Sequence, residues 1–355
     1  MPDFIRVIQR KSIDGPHLSQ DLGIQASGFA VLHCYANHVY RTHRPRPSRA
    51  TQDAQPEDNQ MLVKLANAPV SWGVDYADDP KNPAWPRVMD EISAAGYGYT
   101  ELGPYGYYPT DPAVLRPEFD RRNLAVVAGF VFQDLHSPEK AQSVMDVADR
   151  TVRLLAAAGG KYLVTIDHIS PERMNTAGRH DLAQPLGKKC LDHLVGLIDR
   201  IADLALAHGV MPVVHQHAGC YIEFEDEIET ILGRLDPDRV GICIDTGHMA
   251  YAGIDPVAFY RRHSSRVRYF HFKDIDPVIH KRALEDRIPF LTAIEQKIFC
   301  PLGKGVVDWA GLATALRDTG YDGAATVEQD IDPTISLNPA DDARASLAYL
   351  RSVGF

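Results

Sequence analysis

The sequence predicts an α/β fold, a (β/α)8 barrel preceded by an N-terminal extension. Three observations carry that expectation. From Met61 onward, short apolar runs alternate with amphipathic segments, the pattern of a parallel sheet built from βα units. The strand-like runs number eight, and each is followed by room for a helix. Finally, the first run lacks the Gly-rich phosphate loop that a doubly wound open sheet would normally carry, because Ser71-Trp72-Gly73 is no nucleotide cradle.

The elements follow in order. Residues 1–60 stand before the pattern, and their tract from His38 to Gln60 is polar, interrupted by proline and aperiodic. That composition predicts a disordered extension or linker, with Met61 the natural start and 61–355 the barrel domain. Strands are predicted at Val63–Ala68, Tyr99–Leu102, Leu124–Phe130, Tyr162–Ile166, Val210–His215, Val240–Asp245, Val267–Phe272 and Ala324–Glu328. Helices are predicted over Trp85–Ala95, Ala141–Ala158, Pro185–His208, Trp309–Thr319 and Pro339–Ser352, and glycines stand at or just beyond their ends. The third of these carries Leu191, Leu194, Leu197, Ile198 and Ile201 on one face. Ile275–Gly305 is predicted as a loop about twenty-five residues longer than usual. It holds His280, Lys281, Arg282, Arg287 and the PLGKG run, and reads either as a lid or substrate-contact segment or as a shield for the barrel mouth.

Composition narrows the function classes. Of 355 residues, 45% are apolar and 24% charged, and Asp and Glu outnumber Lys and Arg by 47 to 37, a net charge of −10. Nucleic acid and anionic membrane both call for a basic face, so neither is an expected partner. The five cysteines are scattered with no CxxC pair, which suits reduced thiols in the cytoplasm. No apolar run approaches the ~18 residues of a membrane helix, and no signal pattern opens the chain.

In such a barrel, polar residues at the carboxyl ends of the strands converge on one face. Here they are Trp72, Glu101, Gln133, Asp134, His136, Asp167, His168, His215, Gln216, His217, Asp245, His248, His271, Lys273, Asp274, Glu328, Gln329 and Asp330. The last four strands supply His215, Asp245, His271 and Glu328, a mixed nitrogen and oxygen set. Such a set suits Mn²⁺, Co²⁺, Fe²⁺ or Zn²⁺ better than Ca²⁺ or Mg²⁺. His215 and His217 share a strand face, so one would ligate and the other touch substrate. Trp72, Glu101, Tyr105, His136 and Asp167 join His217 as candidate substrate contacts. Plainer roles stay open: Asp167 and Asp330 as helix N-caps, Glu101 as partner of a Lys or Arg, and Tyr105, Tyr107 and Tyr108 as packing on the rim.

The motifs DTGH at Asp245–His248, HFKD at His271–Asp274 and VEQD at Val327–Asp330 resemble the sugar phosphate isomerase/epimerase superfamily, the xylose isomerase-like TIM barrels. APVSWG at Ala68–Gly73, TELGPYGYYPTD at Thr100–Asp111 and VVHQHAG at Val213–Gly219 look most like its inosose dehydratase branch. The resemblance covers about residues 61–355. It implies a divalent metal, Mn²⁺ or Co²⁺ before Zn²⁺, Fe²⁺ or Mg²⁺, held by Glu, Asp, His (or Gln) and Glu from strands five to eight. Asp245, His271 and Glu328 match the last three, whereas His215 stands where epimerases carry Glu. That departure weakens two-base epimerisation and favours elimination.

The implied activity is a metal-dependent lyase that dehydrates a keto-inositol (2-keto-myo-inositol) or similar polyol ketone. A metal-dependent keto-sugar isomerase or epimerase is the alternative, and a homo-oligomer is a mild expectation. Dehydration needs enolate stabilisation, a base for the α-proton and an acid for the departing hydroxide. Glu328 is the candidate base, and His248 or His217 the candidate acid. Lys273 would hold a substrate oxygen, orient Glu328, or simply pair with Asp274 or Glu101.

Overall fold

The computed structural model describes residues 63–332 and 338–355. The expected extension over 1–60, with Met61 as the start of the domain, lies outside the described residues. Eight parallel strands close a barrel: β1 (Lys64–Asn67), β2 (Tyr99–Glu101), β3 (Ala125–Gln133), β4 (Tyr162–Asp167), β5 (Met211–His215), β6 (Gly241–Asp245), β7 (Val267–Phe272) and β10 (Ala324–Val327). Around the barrel the order is β1-β10-β7-β6-β5-β4-β3-β2, so all eight carboxyl ends open on one mouth. Ala66, Val127, Val164, Val213, Cys243 and Tyr269 form part of a separate inner cluster, while the larger core packs strands against helices.

Register places the polar residues. Between β6 and β7 the pairing shifts at Ile242/Cys243, so that Cys243 faces Tyr269 and Asp245 faces His271. Counted on from Ile242↔Val267 without that shift, Asp245 would have met Phe270. The irregularity therefore puts a carboxylate and an imidazole level with each other at the mouth. On the other side of β7, Thr326 is level with His271, and Ile166 of β4 is level with His215 of β5.

The helices Ala141–Ala158, Trp309–Thr319 and Pro339–Ser352 have the predicted bounds, and Trp85–Ala94 and Lys188–Ala207 are shorter by one to four residues. Gly159 and Gly320 end their helices with φ of 83° and 66°, left-handed values that a glycine adopts without steric cost. Three further helices, Pro112–Asp120, Glu225–Leu232 and Pro256–His263, fill the remaining crossovers. Asp111 and Asp255 cap two of them, each followed by proline at the first helical position.

The segment expected as a long loop is folded. It forms the helices Pro277–Glu285 and Phe290–Glu295 inside a two-strand antiparallel ladder of β8 (Asp274–Ile275) and β9 (Phe299–Cys300). Asp276 starts the first helix by accepting hydrogen bonds from the Val278 and Ile279 N–H groups. Among the described residues no helix is long and apolar enough to cross a membrane. Cys190, Cys220, Cys243 and Cys300 are free thiols.

Candidate active site

The mouth is assembled around Asp245. Its Oδ1 caps the short helix Thr246–Tyr251 by accepting the His248 N–H at 2.8 Å. Its Oδ2 stands 3.5 Å from His215 Nε2, 3.8 Å from His271 Nδ1 and 3.2 Å from Lys273 Nζ. One buried carboxylate thus serves both the helix start and the site.

His271 is held from two sides. Its Nε2 lies 3.0 Å from Glu101 Oε1, which also accepts the Tyr269 hydroxyl at 2.8 Å, and its Nδ1 lies 3.1 Å from Glu328 Oε2. Lys273 is buried among carboxylates, 3.3 Å from Glu328 Oε2 and 2.8 Å from Asp330 Oδ1 in addition to Asp245. Thr246 fixes its backbone, with Oγ1 accepting the Lys273 N–H at 2.9 Å and donating to the Lys273 carbonyl at 2.6 Å. Gly247 leaves room for the lysine stem, because a Cβ there would lie 2.7 Å from Lys273 Cγ. The DTGH and HFKD motifs are therefore one unit.

Charge at this mouth is unbalanced. Asp245, Glu328 and Asp330 pair with one lysine, Lys273, which also acts on Asp75, while Glu101 pairs with His271. Burial, then the neighbouring carboxylates, push Asp330 up to about 6 and Asp75 up to about 7, against the pull of Lys273. Burial opposes a charge on His271, yet Glu328 and Glu101 outweigh it and raise its proton affinity well above that of free imidazole. Burial likewise opposes ionisation of Glu328, and His271 and Lys273 overcome it, holding the carboxyl below its ordinary range. Burial pushes His215, His217 and His248 down, with Lys273 adding to it and Asp245 opposing, which favours the neutral imidazoles.

Carboxyls raised in this way mark a site crowded with negative charge, and its donors fit a cation. Among the described residues His215 Nδ1 and Glu101 Oε2 are buried without a hydrogen-bond partner, and Asp245 Oδ2 and His271 Nδ1 meet only ion-pair neighbours. Three sets of donor atoms lie within 4.8 Å of one another: His215, Cys243 and His271; Glu101, His271 and Glu328; His217, His248 and Asp330.

Above these groups opens a cavity of about 450 Å³, a space that includes its solvent-open mouth. Asp75, His215, His217, His271, Lys273, Glu328 and Asp330 form its polar side, and Val70, Phe130, Phe132 and Ile166 its apolar wall. The folded insert backs it, with Phe290 and Phe299 against the His248 ring and Phe299 5.0 Å beneath Lys273 Nζ.

Several expected residues lie elsewhere. Trp72 is buried in the core with its indole N–H on Glu91 Oε2 at 2.5 Å, because the turn Pro69–Trp72 points it outward from the barrel. Tyr105 packs against the Arg150 guanidinium at 5.2 Å, while the Tyr107 hydroxyl bonds the Pro83 carbonyl and Tyr108 packs edge-on to Phe119. Rim packing is the role the structure gives this tyrosine run. Glu101 sits beneath His271 rather than in the lining, and His136 and Asp167 pair with each other at 2.8 Å beside the cavity. His248 stands behind His217, ring centroids 3.8 Å apart, outside the lining.

Asp274 does not pair with Lys273. Its carboxylate accepts the N–H groups of Gly303, Gly305 and Val307 and the Trp309 indole. Asp330, weighed as a helix cap, is instead the lysine's nearest partner. Asp75, which also lines the cavity, is not among the strand-end residues. It follows a turn rather than a strand, and its one signal was an acid two residues beyond Gly73.

Comparison with known proteins agrees with this architecture. Over 303 residues the chain is 28% identical to an inosose dehydratase of Lacticaseibacillus casei, covering 82% of this chain and 97% of that one. Two solved structures share the fold. One is a probable 3-DHS dehydratase, AsbF of Bacillus anthracis (TM-score 0.63, 16% identity, 81% of this chain and 99% of that one). The other is an IOLI protein with a binding zinc atom (TM-score 0.62, 15% identity, 82% and 98%). Residues 89–353 match the family described as xylose isomerase-like TIM barrel. With its closed eight-stranded barrel and the site at the carboxyl ends of the strands, the chain belongs to the xylose isomerase-like TIM barrel family.

Proposed function

We propose that the protein is a metal-dependent lyase that removes water from a polyol ketone, with a keto-inositol such as 2-keto-myo-inositol as substrate. The observation that carries this reading is the meeting of Asp245, His271, Lys273 and Glu328 at one apolar-walled cavity, in a chain similar along nearly its whole barrel to an inosose dehydratase. His215, Asp245, His271 and Glu328 would hold the metal, Mn²⁺ or Co²⁺ by their mixed nitrogen and oxygen donors. Bound there, it would supply Lewis-acid polarisation of the substrate carbonyl.

The chain's own residues do the rest. Glu328, kept ionised by His271 and Lys273, is the base for the α-proton. Lys273 lines the cavity beside Glu328, and its positive charge would stabilise a substrate oxygen as charge builds on it. His217 donates its Nδ1–H to the Ala218 carbonyl at 2.9 Å, which leaves Nε2 as an acceptor for a substrate hydroxyl. Phe130, Phe132 and Ile166 keep one side of the cavity dry. The free thiols suit a reducing compartment, and we place the enzyme in the cytoplasm.

Mass spectrometry of 2-keto-myo-inositol incubated with the Mn²⁺-supplemented protein tests the reading. A product lighter by one water supports the lyase. A new ketone of unchanged mass would instead make the protein an isomerase or epimerase, and no product at all would remove the proposed substrate.

A further inference from the structure

Elimination of water needs a proton donor for the departing hydroxyl, and the residues described so far leave that role open. His217 and His248 are neutral, and His248 is screened from the cavity by His217, Phe290 and Phe299. Asp245, Glu328 and Asp330 are engaged by Lys273. Asp75 differs from all of them. It lines the cavity, yet its carboxyl makes no hydrogen bond or ion pair among the described residues.

The segment that carries it is fixed on both sides. Before it, the turn Pro69–Trp72 closes on Gly73, whose N–H reaches the Val70 carbonyl at 2.8 Å with φ of 77°. After it, the Tyr76 hydroxyl bonds His168 Nε2 at 2.9 Å, and Asn82 Nδ2 donates to the Tyr76 carbonyl at 2.6 Å. A carboxyl between two such anchors, aimed into a substrate cavity and unpartnered there, is placed to meet the ligand.

We propose that Asp75 contacts the substrate and is the catalytic acid of the elimination, an assignment that rests on the lyase reading above. Glu328 takes the α-proton, and the C–H electron pair becomes the new carbon–carbon π bond. The β C–O bond breaks, and the leaving oxygen takes the Asp75 proton and departs as water. Asp75 is left as a carboxylate and regains a proton from solvent, while Glu328 returns its own, so the balance is substrate to unsaturated ketone plus water. The surroundings support the protonated state. Burial and the nearby Asp330, Glu328 and Asp79 carboxylates favour it, and Lys273 opposes them, as a cation held by the neighbouring ligands would.

The Asp75→Asn protein tests this when 2-keto-myo-inositol is followed in D₂O with two readouts, loss of water and exchange of the α-hydrogen for deuterium. Exchange needs the base but not the acid. The expected result is a loss of dehydration of roughly 10²–10⁴-fold with α-exchange retained. Dehydration within a few-fold of wild type would overturn the assignment, and so would loss of exchange in step with dehydration. Asp75→Ser, read the same way, stands in if the amide variant fails to fold. Wild-type protein that neither dehydrates nor exchanges would bring down the lyase reading and the acid with it. Wild-type dehydration matched by the variant would bring down the acid alone.

Discussion

Single atoms decide what each residue at the mouth does. Asp245 caps a helix with one oxygen and stands 3.5 Å from His215 Nε2 with the other, so one carboxylate serves both the helix start and the mouth. Gly247 is a glycine for a neighbour's sake: any side chain there would strike the Lys273 stem at 2.7–2.8 Å. Gly247→Ala should push Lys273 away from Glu328 and Asp245. Turnover should fall by roughly 10²-fold, and stability by about 1–3 kcal/mol. Steady-state kinetics beside thermal unfolding checks both, and unchanged kcat would show that the position of Lys273 does not matter. His215, Asp245, His271 and Glu328 could be named in advance because each ends a plainly apolar run. Asp75 could not, since nothing periodic surrounds it. Trp72 and Tyr105 were misplaced for a related reason: direction in a turn depends on dihedral angles, which spacing does not encode.

Among the elements, the strands were legible because parallel strands buried on both faces are continuous apolar runs. Their register was not. The shift between β6 and β7 that sets Asp245 level with His271 has no signature in composition. The insert after β7 was hidden because its two helices are only nine and six residues long, so only its Asp276-Pro277 start betrays a helix. Asp274 ties the insert's far end to the barrel through three backbone N–H groups and an indole. Asp274→Ala would leave those buried donors unpaired, at a cost of about 2–4 kcal/mol. It should also loosen the Phe290 and Phe299 wall behind His248. Limited proteolysis should then cut within 277–300 faster than in wild type, and equal protection would show that the ladder of β8 and β9 holds the insert without Asp274.

At the scale of the whole molecule, alternation of apolar runs and helical segments was enough for the barrel, and barrel geometry was enough for the face on which to look. What barrel geometry could not supply was the balance of charge inside the mouth. Carboxyls there outnumber Lys273 and His271, and burial with mutual repulsion raises Asp75 and Asp330, a deficit that a divalent cation would offset. The measurement closest to that central claim is the rate of water loss from 2-keto-myo-inositol by protein stripped with a chelator, before and after Mn²⁺ or Co²⁺ is added back. Wild type and Asp245→Asn would be compared. The stripped wild type should show no turnover, added metal should restore it, and the variant should not recover. Full turnover by the stripped protein, or equal recovery without the Asp245 carboxylate, would contradict it.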